Sequence, residues 1–347
     1  SLEGEKFPLI SIVIAARNEF KKIEPALLSV LKQDYPNFEI IVIDDRSTDG
    51  TSALLDRIVK EYGQLKVLHV SQLPEGWLGK NYSLYFGAQM ASGEFLLFMD
   101  ADVIANPSAA GRAVGYLIRN GLDHVTVFPE LLLKGILLNM VVGAFSIIFG
   151  LYTKPWKAKI PNTRYHIGIG AFNLVRSEVY RAAGTHKKIS MRPDDDMKLA
   201  KLIKKAGYHQ DCLLGKEMIF VEWYQSFSQL VHGLEKNAFA SVNYRLFLVI
   251  AATVGNMLLF VLPFGGALLA SGISQIIFIL ILAMMAILYI DNALLQGLNP
   301  WYSLGFPVAN IIFLYIVWNS TFKTLFYNGI QWRDTFYPLD KLKANKV

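Results

Sequence analysis

One cysteine, Cys212, stands in 347 residues. A single thiol excludes an internal disulfide and fits a reducing compartment. Neither G-x-G-x-x-G nor G-x-x-x-x-G-K-[ST] occurs, so the usual glycine-rich phosphate loops are missing. No Ser-His-Asp spacing suggests acyl transfer, and the six histidines lack metal-ligand spacing. No arginine-rich or zinc-finger pattern is present, so a nucleic-acid partner is not expected. Charge is also scarce: 18% of residues are charged and 53% hydrophobic, apolar for a soluble protein. That scarcity is local. From Leu246 to Tyr327 there is no lysine or arginine before Lys323, and one acid, Asp291.

Three stretches in that block reach the roughly 20 apolar residues a bilayer span needs: about Leu246–Ala270, Ser274–Gln296 and Tyr302–Leu325. The alternative is a very hydrophobic soluble helical domain. Tyr244, Tyr289, Trp301, Tyr302, Tyr327 and Trp332 near their ends fit interfacial belts. The net charge of +6 beside spans favours anionic headgroups and the cytoplasmic side of a cell (inner) membrane, with several passes. Lys134–Tyr152 is apolar but broken by Asn139 and glycines, and it lies inside the globular half, so an interfacial or buried helix is expected. The opening "SLEGEKFPLISIV" has no signal-peptide pattern and no initiator methionine, which leaves room for a removed leading segment. With the catalytic half inside, three spans put the tail outside, whereas Lys341, Lys343 and Lys346 favour inside; a re-entrant break at Pro263–Gly266 would reconcile the two.

The first 230 residues read as an ordinary globular domain. "LISIVIAA", "FEIIVID", "LKVLHV" and "EFLLFMD" are apolar strand runs separated by helical patterns. Strands alternating with helices argue for a parallel sheet covered on both faces, with ligands at the carboxyl ends of the strands. There stand "ARNE", "DDRSTDG" and "DAD".

The carboxylates raise the chemical question. Asp44 and Asp45 leave the second strand and precede a Ser47-Thr48-Asp49-Gly50 turn. They either shape the turn or accept from a base N–H or ribose hydroxyl. Asp100 and Asp102 end the fourth strand one residue apart and repel unless a cation sits between them. A divalent ion held with a substrate diphosphate would serve, since Mg²⁺ takes one or two protein carboxylates plus phosphates; the plain reading is a strand-end cap. Asp194, Asp195 and Asp196 open a helix whose apolar face is Leu199, Leu202, Ile203 and Ala206. One acid would satisfy the helix dipole, and three in a row repel, which raises a pKa and suits a general base. Lys80 in "EGWLGKNYS" is the clearest nearby cation, either a phosphate or ribose contact or a solvated helix-start lysine.

Taken together, "SIVIAARNE", "IIVIDDRSTDGT", "GWLGKN", "LLFMDADV", "GAFNLVRSEVYRAAG" and "DDDMKLAKLIKKAGY" resemble membrane-bound glycosyltransferases of family 2. The likeness spans about residues 9–245 and looks nearest to bacterial members acting on lipids of the ceramide, hopanoid or carotenoid type. It implies a GT-A fold, an α/β Rossmann-like and mostly parallel sheet, followed by transmembrane helices. It implies inverting transfer from a nucleotide-diphosphate sugar to a membrane lipid, with Mg²⁺ or Mn²⁺. By resemblance, Glu19 and Asp45 line the nucleoside pocket with Asp44 beside them; Asp100 and Asp102 match the metal and diphosphate motif; Asp196 falls on the base, with Asp195 beside it. Ala171–Arg176 lies where an acceptor or sugar pocket is built.

The chain departs from the family in two places. The Gln-x-x-Arg-Trp helix is replaced by "EWYQSFSQLVHGLEKNAFA", where Gln225, Gln229, His232 and Lys236 are the substitutes. Gly184-Thr185-His186 replaces Gly-Gly-His, and the tail "QWRDTFYPLDKL" resembles a short Trp-Arg motif. The expected organisation is a catalytic domain over 1–225, an interfacial segment over 226–245, about three spans over 246–327 and a tail over 328–347. A processive polysaccharide synthase, a nucleotidyltransferase and a catalytically silent sugar-nucleotide binder are the alternatives.

Overall fold

The computed structural model describes residues 7–347; residues 1–6, the start of the stretch read for a signal peptide, lie outside them. In chain order the elements are β1 (Ile10–Ala16), α1 (Ile23–Leu31), β2 (Phe38–Asp45), α2 (Thr51–Ile58), β3 (Leu65–Val70), α3 (Gly79–Met90), β4 (Phe95–Asp100), β5 (Val103–Ala105), α4 (Ala109–Arg119), β6 (His124–Leu131), α5 (Ile136–Thr153), β7 (Asn173–Arg176), α6 (Ser177–Ala183), α7 (Asp195–Lys205) and β8 (Gln210–Val221). Then follow α8 (Phe227–Ser241), α9 (Leu246–Asn256), α10 (Leu262–Leu269), α11 (Gly272–Leu295), α12 (Phe306–Phe326), β9 (Gly329–Trp332), β10 (Thr335–Pro338) and α13 (Leu339–Ala344). Contacts group the chain into two units: residues 7–132, 153–222 and 344–347 in one, 133–152 and 223–343 in the other.

The first unit is built on one sheet in the order β3-β2-β1-β4-β7-β6-β8-β5. β1 to β4 run parallel, as do β6 and β8, while β7 and β5 run antiparallel to their neighbours. The continuous apolar runs are explained by burial on both faces: Ile10, Ile12, Val13, Ile40, Ile41, Val42 and Ile43 are all fully buried. One face packs Val13, Leu84 and Phe98 against Val179, Tyr180, Leu199 and Ile203 of α6 and α7. Register fixes the working edge. Ala16 pairs with Asp44 and Ala15 with Asp100, so the carboxyl ends of β1, β2 and β4 finish level. The strand order reverses between β1 and β4, where open α/β sheets bind ligands.

The second unit is helical. Among the described residues, four helical stretches are long and apolar enough to cross a membrane: Ile136–Lys157, Leu246–Leu269, Gly272–Leu295 and Pro300–Phe326. Sequence reading counted three and took the stretch at 134–152 as interfacial or buried. Nearly half of the apolar window of that first stretch is buried. Its contacts explain this: Tyr289 donates to the Met140 carbonyl at 3.0 Å, Asn292 reaches Ser146 at 3.0 Å, and Phe145 packs on Phe313. Leu246–Leu269 is continuous, with a π turn at Met257–Val261 just before Pro263. That wider turn absorbs the proline, which cannot donate to the helix ladder.

Buried inside the unit, Asn256 and Asn310 exchange two hydrogen bonds of 2.9 Å. The apolar residues of α8, Leu230, Val231, Leu234 and Phe239, are buried within the same unit, where α8 packs on α12. Ser320 on α12 donates to the Glu235 carbonyl, and Lys323 pairs with the Glu235 carboxylate at 2.6 Å. Lys236 lies 4.0 Å above the Trp332 ring, so the Trp-Arg tail motif sits in a hairpin braced by α8.

Candidate active site

Three of the predicted acids, Asp100, Asp195 and Asp196, gather around Lys80. α3 begins at Gly79 because a longer residue could not approach β2: a Cβ there would stand 2.1 Å from Asp45 Oδ2. The next residue, Lys80, reaches across the sheet end. Its Nζ lies 2.7 Å from Asp100 Oδ1 and 3.6 Å from Asp195 Oδ1. Burial works against its charge, but Asp100, Asp195 and Asp196 outweigh that and hold it protonated well above the usual lysine range. The solvated helix-start reading of Lys80 is therefore not what the structure has.

Asp196 occupies the first turn of α7. Its Oδ2 accepts the Gly170 N–H at 2.9 Å and its Oδ1 accepts the Met197 N–H at 2.7 Å. Burial, then the Asp195 charge, raises its pKa well above the carboxylate range; Lys80 only partly offsets them. The crowding argued from three adjacent acids is thus relieved unevenly. Asp194 is taken by Arg192 and Lys198, Asp195 faces Lys80, and Asp196 keeps the perturbed carboxyl.

Asp100 and Asp102 are not bridged to each other but are held by different lysines. Asp100 meets Lys80, while Asp102 Oδ2 meets Lys22 Nζ at 3.0 Å. Lys22 also donates to the Glu222 carbonyl at 2.9 Å. Burial and then Asp100 raise the Asp102 pKa in spite of Lys22. Among the described residues no group of three or more His, Cys, Asp or Glu side chains is arranged to hold a metal.

The second predicted pair diverges. Asp44 is saturated by its own turn: it accepts from Ser52 at 2.5 Å, the Ser47 N–H at 3.3 Å and His69 at 2.8 Å. Asp45 is gripped by Arg46 at 2.6 Å and Arg17 at 3.4 Å. Glu19 enters the same edge, its N–H bonded to Thr51 Oγ1 at 3.0 Å.

Several participants escaped sequence reading. Gly170 stands between the two acid groups: its carbonyl accepts the Asp100 N–H at 3.1 Å while its N–H holds Asp196. A Cβ at Gly170 would lie 2.7 Å from Asp100 Oδ2, and one at Gly168 would lie 2.1 Å from the Asp196 carbonyl oxygen. Asn81, buried beside Lys80, donates to the Ile189 and Arg192 carbonyls at 2.7 and 2.9 Å. From the other side Asn345 clasps the same loop, accepting from Met191 N–H and donating to the Lys188 carbonyl. That loop carries His186, buried against Phe98 and bonded to Tyr180. Burial, helped by Lys80, pushes its pKa down to about 3, so it stays neutral. A narrow cleft lined by Lys80, Asp100, Gly170, His186, Asp195 and Asp196 joins these groups. A wider cavity of about 690 Å³, lined by Tyr35, Arg112, Tyr116 and Met218, reaches Phe172 of the predicted Ala171–Arg176 stretch but none of the predicted acids or Lys80.

Known proteins can now be set beside this geometry. A glycosyltransferase of uncharacterised specificity from Haemophilus influenzae is 38% identical over 37% of this chain and 38% of its own. A 4,4'-diaponeurosporenoate glycosyltransferase of Staphylococcus haemolyticus is 42% identical over 32% of this chain and 29% of its own. The Staphylococcus aureus protein of that name is 30% identical over 51% and 46%. The chain therefore spans less than half the length of these curated relatives. A Pyrobaculum calidifontis mannosyltransferase solved with GDP-Man and Mn²⁺ superposes with a TM-score of 0.52 at 18% identity, over 88% of this chain and 87% of that one, which shows a shared GT-A fold. The pattern described as Glycosyl transferase family 2 matches residues 11–184, half of the chain. With that match and the sheet that carries it, the chain belongs to glycosyltransferase family 2.

Proposed function

We propose that this glycosyltransferase moves a sugar from a nucleotide-diphosphate donor to a hydroxyl of a membrane lipid, with inversion, and that Asp196 is the general base. The observation that carries the reading is the Asp196 carboxyl, raised above its ordinary range yet held in place by two backbone N–H groups. A base near neutrality is both ionised and able to take a proton. Asp196 accepts the proton of the acceptor hydroxyl. The oxygen's electron pair attacks the anomeric carbon from the face opposite the leaving group, and the bond to the diphosphate breaks, releasing the nucleoside diphosphate. Asp195 and Lys80 set the charge around Asp196, and Lys80, Glu19, Asp45 and Asp44 form the donor side in this reading.

A divalent ion fits the donor set. Asp100 and Asp102 offer hard oxygen ligands, and one or two protein carboxylates are what Mg²⁺ accepts when phosphates complete its shell. Charge supports it too: the carboxyl groups of Asp100, Asp102, Asp195 and Asp196 gather at this edge with Lys22 and Lys80 among them. A donor diphosphate brought beside Asp100 and Asp102 would be repelled by their carboxylate oxygens. Mg²⁺ or Mn²⁺ on Asp102, with Asp100 beside it, would supply the missing positive charge and stabilise the leaving group.

The lipid acceptor rests on the four apolar helices and on the staphylococcal relatives, which are named for transfer to diaponeurosporenoate. We place the chain in the cell (inner) membrane with the first unit on the cytoplasmic side. The test is Asp196→Asn. Transfer should fall by about 10²–10⁴ while donor affinity stays near wild type. Wild-type transfer by this variant would overturn the assignment.

A further inference from the structure

The acids of this chain are unevenly spread. Between Glu130 and Glu178 there is none, while Lys134, Lys154, Lys157, Lys159, Arg164 and Arg176 fall in that interval. Three of these cations converge on one ring. Lys154 Nζ, Lys157 Nζ and the Arg164 guanidinium lie 5.7, 5.3 and 5.7 Å from the Tyr165 centroid. Like charges drawn to one spot repel, and none of Lys154, Lys157, Lys159 or Arg164 has an acid within ion-pair distance among the described residues. The ring feels the positive field: Lys154 first, then Lys157 and Arg164, hold the Tyr165 phenol below its ordinary pKa.

The loop that carries the cluster is built, not loose. Lys204 donates to the Ala158 and Ile160 carbonyls at 2.7 and 2.8 Å, Cys212 reaches the Pro155 carbonyl, and Ala158 is fully buried. Trp156 and Ile160 nevertheless stay 54% and 44% exposed beside the cations. An apolar ring and an aliphatic chain among unpaired cations suit an interface between water and acyl chains. Chain continuity gives the same address. The apolar helix α5, Ile136–Thr153, about 27 Å long at 1.5 Å per residue, ends immediately before Lys154.

We propose that Lys154, Lys157, Arg164 and Tyr165 form a binding site for the phosphate of an anionic membrane-lipid headgroup. The site rests on the reading of Ile136–Lys157 as a membrane segment. A juxtamembrane cation near an anionic surface strengthens association by about fivefold each, so three make a substantial site. The loop runs directly into Gly168 and Gly170, whose backbone meets Asp196, so the cluster lies a few residues along the chain from the groups that hold the proposed base.

The test uses the full chain in nanodiscs of phosphatidylcholine, with or without a minority of phosphatidylglycerol. Acetylation of Lys154 and Lys157, read by mass spectrometry, should slow several-fold when phosphatidylglycerol is present. Retention of a fluorescent phosphatidylglycerol should fall at least tenfold in the Lys154→Gln, Lys157→Gln, Arg164→Gln triple variant. Equal labelling in both discs would overturn the proposal. So would protection by free inorganic phosphate in phosphatidylcholine discs, which would mark a soluble-anion site. Carbonate extraction separates the two readings: a chain that stays in the membrane but ignores phosphatidylglycerol refutes the headgroup site alone, and a chain that is extracted refutes both.

Discussion

A single methyl group at Gly170 tests how tightly Asp100 is joined to Asp196. In Gly170→Ala the new Cβ would stand 2.7 Å from Asp100 Oδ2 and 3.3 Å from both Asp100 Cγ and Oδ1. A carbon cannot rest that close to an oxygen, so one side must yield. If Asp100 turns away, its charge-assisted contact with Lys80 at 2.7 Å is lost or lengthened, at a cost of about 1.5–3 kcal/mol. If the backbone yields, the 2.9 Å bond from Gly170 N–H to Asp196 Oδ2 moves with it. Displacement of a reacting group by about 1 Å costs on the order of 10² in rate, and a shift of a few tenths of that costs less. The expected result is a fall in kcat of about ten- to a hundredfold. Donor KM should change by a smaller factor, since Asp45 and the α3 start are untouched. Steady-state transfer with varied donor, together with the unfolding temperature, reads this out. A variant within twofold of wild type in kcat would refute the claim that Gly170 couples Asp100 to Asp196, and a collapse of Tm alone would reassign the glycine to stability.

Four further outcomes follow from the same geometry. With ionised Asp196 as the proposed base, its raised pKa predicts that kcat declines as pH falls through a value above the usual carboxylate range, and a limb at ordinary carboxylate pH would contradict that. Asp102→Ala should weaken donor binding and abolish its dependence on divalent ions, and full wild-type activity in excess EDTA would return Asp100 and Asp102 to strand-end caps. Asn81→Ala removes two hydrogen bonds to the loop that leads into α7, each worth about 0.5–1.5 kcal/mol, and should lower kcat with donor affinity retained; hydrogen exchange across Ile189–Arg192 should quicken. Asn256→Leu strands the Asn310 amide in a buried position and should destabilise the second unit by about 1–2 kcal/mol, while the Asn256→Leu, Asn310→Leu double variant should recover much of the loss; equal damage from single and double variants would deny that the two amides depend on each other.

The parallel half of the fold was readable because its strands are apolar along their whole length. Ile10–Ala16 and Phe38–Asp45 bury both faces, so no alternation obscures them. β6, β7 and β8 gave no such signal. β7 has four residues, and β8 mixes buried Gln210, Gly215 and Val221 with exposed Leu214, Lys216 and Glu217, a pattern that belongs to neither period. The helix at 136–153 was readable as apolar but not as a partner of the later helices, because what assigns it there is Tyr289 and Asn292, about 150 residues away. Gly143 admits the Tyr289 hydroxyl, where a Cβ would stand 2.6 Å from it, and no local spacing announces that fit.

In the site, the acids were legible by type and the residues that aim them were not. A carboxylate at a strand end states its own problem, since its charge must be answered by something. The answers, Lys22 for Asp102 and Lys80 for Asp100, come from 80 and 20 residues away and are indistinguishable in sequence from solvated lysines. The same limit separates Asp44 from Asp45. The two are neighbours on one strand, so their side chains leave on opposite faces of the sheet. Ser47, Ser52 and His69 close around the first, and Arg17 and Arg46 around the second. Adjacent identical residues therefore have different duties by the pleat alone, and only the partners on each face say which is which. Asp44 takes its donors from Ser47 and Ser52 after β2 and from His69 on β3. Asp45, packed on Gly79 at the start of the Lys80 helix, stands beside the edge proposed to take the donor.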